Sequence, residues 1–285
     1  MNKKSKWNDL KKRTIFSLLT VSFFLIIIWF SNKLVFLPVV FLVLAFFVSV
    51  ALWEYSSLIK KKYKFNYFPY LAIGGISQVF AFILASFSPF FYPAPMILFF
   101  LFALFIFGLN FVQIEGSITR VSSCLFGVLY IAVPLGMALF ILLSPFSQDG
   151  RIWLLYLIVI TKISDIAAFF GGKLFGKHLL AKVISPKKTV EGAIIGLICA
   201  IATSFLFYYL SKMGLCGNFY LTLSQSLFLG GLIGILGQFG DLAESLLKRD
   251  AVIKDSNCIP GVGGILDMVD SLLFTIPVVF FFLFY

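Results

Sequence analysis

Stretches of about 20 residues with almost no charge follow one another from Thr14 to Phe284, which leaves this chain one solvent to fold in. A hydrocarbon core about 30 Å thick takes roughly 20 apolar residues in helical form to cross. Inside it every backbone N–H and C=O must be paired within its own segment, so such spans are helices. Nine stretches qualify: Thr14–Phe30, Val35–Leu58, Phe68–Phe87, Ala94–Phe111, Val121–Leu143, Ile152–Phe170, Thr189–Leu210, Tyr220–Gly240 and Gly263–Phe284. Only 12% of the residues are charged, against 61% hydrophobic and 37 Phe, too few to cover the surface of a soluble domain. The expected fold class is all-α, a polytopic integral membrane protein of about nine transmembrane helices. The first stretch follows a basic segment, as a secretory signal does. It is too long for a signal core, however, and Trp29-Phe30-Ser31-Asn32-Lys33 offers no small-residue cleavage site, so it is expected to remain as a span.

Orientation follows from where Lys and Arg fall. With the N-terminus in the cytoplasm, the inside segments collect Lys3, Lys4, Lys6, Lys11, Lys12, Arg13, Lys60, Lys61, Lys62, Lys64 and Arg120. Two longer inside loops add Lys173, Lys177, Lys182, Lys187 and Lys188, then Lys248, Arg249 and Lys254. The outside segments hold only Lys33, Arg151 and Lys212. The net charge of +11 is therefore a topology signal plus attraction to anionic lipid headgroups, and calls for no nucleic-acid partner. Cys124, Cys199, Cys216 and Cys258 form no C-x-x-C pair, and His178 is the single histidine, which argues against a disulfide framework or a zinc site.

No repeat or Pro/Ser-rich linker divides the chain. Residues 1–13 read as a basic cytoplasmic tail and 14–285 as a single membrane domain. Within it, 14–150 supply structural spans with few polar groups (Glu54 is the exception), and 151–285 concentrate carboxylates, lysines and glycines. In the sixth span Lys162 and Asp165 are three apart and share a helical face. Ser185-Pro186 reads as a turn, after which Lys187 and Lys188 stand near the start of the seventh helix, where unpaired N–H groups favour phosphate. The plain alternative for the lysines of this loop is that they obey the positive-inside rule and nothing more.

Past the eighth span, Asp241, Glu244, Ser245 and Lys248 recur at three- and four-residue spacing, so one helical face carries two acids, a hydroxyl and a base. Lys254-Asp255 and the breaker-rich Pro260-Gly261-Val262-Gly263-Gly264 follow, and Asp267 and Asp270 share a face at the mouth of the last span. Carboxylates at a membrane boundary are costly unless something positive sits among them, and a hard divalent cation bridging them to substrate phosphates is one solution. A transporter's ion pathway also uses intramembrane acids. Here every acid of the cluster lies near the cytoplasmic end of its span and the outer halves are apolar, which favours phosphoryl or nucleotidyl transfer.

At these residues the chain resembles the phosphatidate cytidylyltransferase (CDP-diglyceride synthase) family. The family signature, Ser-x-x-Lys-Arg, then Lys-Asp, Pro-Gly-His-Gly-Gly and Asp-Arg-x-Asp, is matched by Ser245, Lys248, Arg249, Lys254, Asp255, Pro260, Gly261, Gly263, Gly264, Asp267 and Asp270. Asp165, Gly172-Lys173-x-Phe175-Gly176-Lys177 and Ser185-Pro186-Lys187-Lys188-Thr189-x-Glu191-Gly192 look like the same family, as do Gly240-Asp241-Leu242-x-Glu244-Ser245 and, more weakly, Gly127-Val128-Leu129-Tyr130 and Glu54. Val262 stands where the family has His, Met268 where it has Arg, and the loop between Asp255 and Pro260 is one residue shorter.

The resemblance implies transfer of a cytidylyl group from CTP to phosphatidate, giving CDP-diacylglycerol and pyrophosphate with Mg²⁺, and leaves a second cation open. It further implies a bacterial inner membrane, an active site on its cytoplasmic side, and room for a homodimer. Asp241 and Asp267 are then the expected metal ligands and, with Asp270 and Lys188, the catalytic set. Lys162, Asp165, Lys187, Ser245, Lys248, Arg249, Lys254, Asp255, Gly263 and Gly264 are expected to bind substrate. A CTP-dependent transferase or kinase acting on another membrane lipid, such as a polyprenol, and a solute transporter stay open as alternatives.

Overall fold

The computed structural model describes Trp29 and residues 34–63, 65–112, 114–143, 148–252 and 264–284. The predicted first span apart from Trp29, the basic tail, Lys254, Asp255 and Gly263 lie outside the described residues. Each of the other eight predicted spans is a helix: α1 (Leu37–Tyr63), α2 (Phe68–Phe87), α3 (Ala94–Asn110), α4 (Ser117–Leu143), α5 (Gly150–Phe175), α6 (Val190–Lys212), α7 (Leu223–Asp250) and α8 (Ile265–Phe284). All eight lie in segments long and apolar enough to cross a bilayer. The chain is an all-α polytopic membrane protein, and its outer surface shows why. Phe100, Leu101, Leu104 and Phe107 of α3 stand exposed, as they do where the surrounding solvent is hydrocarbon.

Two local features depart from the sequence reading. Ser185-Pro186 is not a turn ahead of a helix. Ser185–Thr189 is a strand, β2, pairing antiparallel with β1 (Leu179–Ala181), and α6 begins only after it, with the Thr189 hydroxyl capping Gly192 N at 3.2 Å. Pro186 is tolerated because a two-stranded ribbon has only edges. The second is a π-helical turn, Val128–Ala132, in the middle of α4. It bulges the helix and leaves the Tyr130 ring buried on the side of α7 and α8.

The helix ends gather into two faces. At one, Lys62 pairs with Asp250 at 2.8 Å and Arg249 Nε donates to Ile184 O at 3.1 Å, joining the C-terminal ends of α1 and α7 to the hairpin. At the other, Asp149 N donates to Asn218 O, and Gln148 accepts from Tyr220 N and the Trp153 indole. The lysine-rich segments of α1, α7 and the hairpin thus share one end of the bundle.

Successive helices α5, α6, α7 and α8 pack against one another. Small residues permit the approach. A Cβ at Gly192 would lie 2.5 Å from Ala168 O, and one at Gly240 would lie 2.5 Å from Asp270 O and 3.1 Å from Ser271 Cα.

Candidate active site

The close crossing at Gly240 sets the site, because it holds the turn of α7 bearing Asp241 against the turn of α8 bearing Asp270. Asp165, Asp241 and Asp270 lie near enough to feel one another's charge. Two lysines enter this group. Lys188 comes in from β2, its ammonium 2.6 Å from Asp241 Oδ2. Lys162 comes from α5, where it donates to Met268 O at 3.0 Å and to Ser271 Oγ at 3.4 Å and stands 3.7 Å from Asp165 Oδ2. Ser271 in turn donates to Asp165 at 3.1 Å, so α5 and α8 are bonded through a lysine, a hydroxyl and a carboxylate.

A second group lies one turn further along α7. Lys248 reaches Glu244 Oε2 at 2.8 Å on its own helix and forms an ion pair with Asp267 of α8. Spacing on α7 foretold the first contact. The second could come only from the fold. Glu244 is almost fully buried, and it is held there by a lysine whose side chain is itself 12% exposed. Glu54 of α1, a residue not expected at the site, joins this group, for it feels the charges of both Lys248 and Asp267. Its sequence signals are a carboxylate in an otherwise apolar span and a weak part in the family resemblance.

Between β2, α5, α6 and α7 opens a cavity of about 480 Å³, lined by Asp165, Lys173, Lys187, Lys188, Gln238 and Asp241 among others. That volume lies within the roughly 300–1,000 Å³ of small-molecule sites. The Lys188 ammonium is buried and, its ion pair with Asp241 apart, has no hydrogen-bond acceptor among the described residues. It therefore retains donor capacity for an anion. Gln238 fixes the cavity wall by donating to Ala193 O at 2.9 Å. Glu191, in the first turn of α6, accepts from the backbone N–H groups of Lys177 and His178 and lies 2.6 Å from His178 Nδ1.

Other predicted site residues fall in different places. Arg249 is exposed and spends its Nε on the Ile184 carbonyl, so it ties α7 to the hairpin. Ser245 is half-buried beside Glu244, and Gly264 is buried directly ahead of α8. Met268, at the position where the family signature has Arg, lines a separate apolar cavity of about 260 Å³ with Leu44, Leu139 and Leu157.

The donor set suits a hard cation. Among the described residues, ion pairs join the group of six acids Glu54, Asp165, Asp241, Glu244, Asp267 and Asp270 to Lys162, Lys188 and Lys248, so oxygen donors outnumber cations in a weakly solvated setting. Among the described residues no three carboxylates converge as a complete metal cage. Mg²⁺ commonly needs only one or two, with substrate phosphates and water completing its shell.

With this geometry in place, comparison with known proteins is specific. The family model described as "Cytidylyltransferase family" matches residues 11–285. The chain is 35% identical over 241 residues to a phosphatidate cytidylyltransferase of Chlamydia muridarum, covering 81% of this chain and 79% of that one. To a protein of the same name from Chlamydia pneumoniae it is 32% identical over 300 residues, covering 99% and 94%. A third so named, from Helicobacter pylori, is 43% identical over 140 residues, about half of each chain.

Proposed function

The chain belongs to the cytidylyltransferase family, and on that premise we propose that it transfers a cytidylyl group from CTP to phosphatidate, yielding CDP-diacylglycerol and pyrophosphate. The observation that carries this reading is the buried Lys188 ammonium, held by Asp241 in the wall of a lysine-lined cavity. Such a cavity suits a triphosphate, and its position among helix ends suits an acceptor that stays in the bilayer.

In the reaction, a phosphate oxygen of the lipid attacks the α-phosphorus of CTP. The new P–O bond forms as the bond to the α–β bridging oxygen breaks, and pyrophosphate leaves with that electron pair. The attacking oxygen is already anionic, so the protein has little proton transfer to perform. It must hold two polyanions in line and offset their charge. Lys187 and Lys188 from β2 and Lys173 from the end of α5 face the cavity and bind the triphosphate. Asp241 orients Lys188, and Glu244 and Asp267 orient Lys248 toward the second phosphate-bearing substrate. Lys162, held by Met268 and Ser271, sets a positive charge against Asp165 beside Asp241 and Asp270. We further propose Asp241 and Asp267 as ligands of Mg²⁺, supported by Asp270, where the ion would offset charge on the reacting phosphates. The positive-inside distribution supports a cytoplasmic orientation for this end of the bundle, and we propose that the membrane is the inner membrane of a bacterium.

Purified protein given radiolabelled CTP and a panel of lipid phosphates tests the reading. Pyrophosphate release that depends on phosphatidate, with label appearing in the lipid, is the expected result. Label remaining in CDP while a polyprenol gains a phosphate, or no pyrophosphate with any acceptor, overturns it.

A further inference from the structure

The first turn of α8 carries Asp267, and the turn is fastened from outside its own helix. A helix begins with N–H groups that have no partner within it. Ile265 and Leu266 supply two of these, and both residues are buried, so water cannot serve them. The residue ahead of them is Gly264, which has no side chain with which to cap. The cap comes instead from α1. Glu54 Oε1 accepts from Ile265 N at 2.9 Å, and Glu54 Oε2 accepts from Leu266 N at 2.8 Å, across 211 and 212 positions of sequence.

A local Ser, Thr or Asp caps most helices at small cost, whereas a carboxylate inside a span is expensive. What the distant carboxylate adds is position. Two bonds from one planar group fix both the height and the rotation of the turn they hold. Asp267 follows Leu266 directly, and Asp270 stands one turn on. The same residue is 1% exposed and within electrostatic reach of Lys248 and Asp267, and its carboxyl group sits at the positive end of the helix. We infer that Glu54 is a positioning residue for the transfer reaction: it clamps the start of α8 so that Asp267 meets Lys248 and Asp270 meets Asp241. This rests on the reading of Asp241 and Asp267 as part of the active site.

The test uses the full chain purified in detergent and compares Glu54→Gln with Leu52→Ala, a buried α1 residue that packs on Gly75 of α2. The amide keeps the shape of the carboxylate, but only one of its two ends accepts a hydrogen bond. Glu54→Gln is expected to lower kcat at least tenfold while the KM for CTP stays within about threefold, because the cavity lysines lie on other elements. Leu52→Ala should lose thermal stability yet keep kcat per folded molecule. A kcat for Glu54→Gln within twofold of wild type, or a loss that only tracks the fraction folded as in Leu52→Ala, overturns the inference. If Glu54→Gln is not recovered folded, Glu54→Asp decides. It keeps both acceptors but withdraws them by one methylene, so kcat should fall with an unchanged KM for CTP, and wild-type kcat overturns the inference. The two failures separate cleanly. If Asp267→Asn and Asp241→Asn abolish transfer while Glu54→Gln does not impair it, the clamp alone is wrong. If those aspartate variants remain active, the assignment of the site is wrong and the clamp falls with it.

Discussion

The ammonium of Lys188 stands 2.6 Å from the carboxylate of Asp241, a pair that joins β2 to α7 in the wall of the polar cavity. Neither group is fully exposed, and the nitrogen itself is shielded from solvent. An arriving phosphate would therefore meet a lysine already aimed and already partly desolvated, which is the preorganisation that phosphoryl-group chemistry rewards.

Lys188→Met preserves most of the side chain's apolar length and removes the charge. We expect kcat/KM for CTP to fall at least tenfold, about 1.4 kcal/mol of lost transition-state binding, with the protein still folded. Steady-state kinetics across CTP concentrations check this. Unchanged parameters would return Lys188 to the topological role that its place in a lysine-rich loop also explains.

Helix approach at the site gives a second expectation. A methyl group at position 240 would meet the Asp270 carbonyl at 2.5 Å, and backbone cannot rotate away as a side chain can. Gly240→Ala should force α7 and α8 apart, costing about 1–3 kcal/mol and most of the activity. At Gly231, on the same helix, the nearest neighbour to such a methyl is Ile201 Cδ1 at 4.0 Å. Gly231→Ala should be neutral or slightly stabilising, as Ala is in an open helical position. Thermal unfolding in detergent, with turnover measured on the same samples, compares the two. Equal behaviour would mean that the crossing at Gly240 is looser than its geometry.

Much of this architecture was legible in the order of residues, and what was not has a physical cause. Span location follows from solvent alone, so Phe68–Phe87 was bounded correctly from hydropathy. The i,i+4 contact of Glu244 with Lys248 follows from helical periodicity. The β1–β2 hairpin was missed because its strands are short and one contains a proline, and only pairing makes them strands. Sequence reasoning brings Asp241 and Asp267 to one end of the bundle but does not show that each faces its own lysine, Lys188 and Lys248. Which lysine answers which aspartate depends on how α7, α8 and β2 meet. Glu54 shows the limit most sharply, since nothing near it in sequence announces a helix that begins 211 positions later.

Topology supplies a third expectation. The ion pair of Lys62 with Asp250 and the bond of Arg249 to Ile184 hold the lysine-rich ends on one face. The positive-inside rule then predicts that the N-terminus and the loops around Lys187 and Lys254 are cytoplasmic. Reporter fusions at these three places should all report the cytoplasm, and one at Gly217 should report the opposite side. Any disagreement between the N-terminus and either loop would refute the assignment.

The carboxylates decide between transfer chemistry and every other reading. Asp→Asn keeps the size of the side chain and one acceptor oxygen while removing the charge that a metal ion or a lysine needs. Asp241→Asn and Asp267→Asn are each expected to abolish CTP-dependent transfer. Their effects on stability should differ, because the two lysines are differently provided for. Lys248 keeps Glu244 when Asp267 is changed, so Asp267→Asn should unfold within a degree or two of wild type. Lys188 loses its only ion-pair partner among the described residues when Asp241 is changed, and a partly exposed pair of this kind is worth about 1 kcal/mol or less. Asp241→Asn should therefore unfold a few degrees lower while remaining well folded at assay temperature. Activity of the wild type should require added Mg²⁺ or Mn²⁺ and disappear with a chelator. Near wild-type transfer by both variants would overturn the assignment of the site, and indifference to chelation would remove the metal from the mechanism and leave charge stabilisation to the lysines.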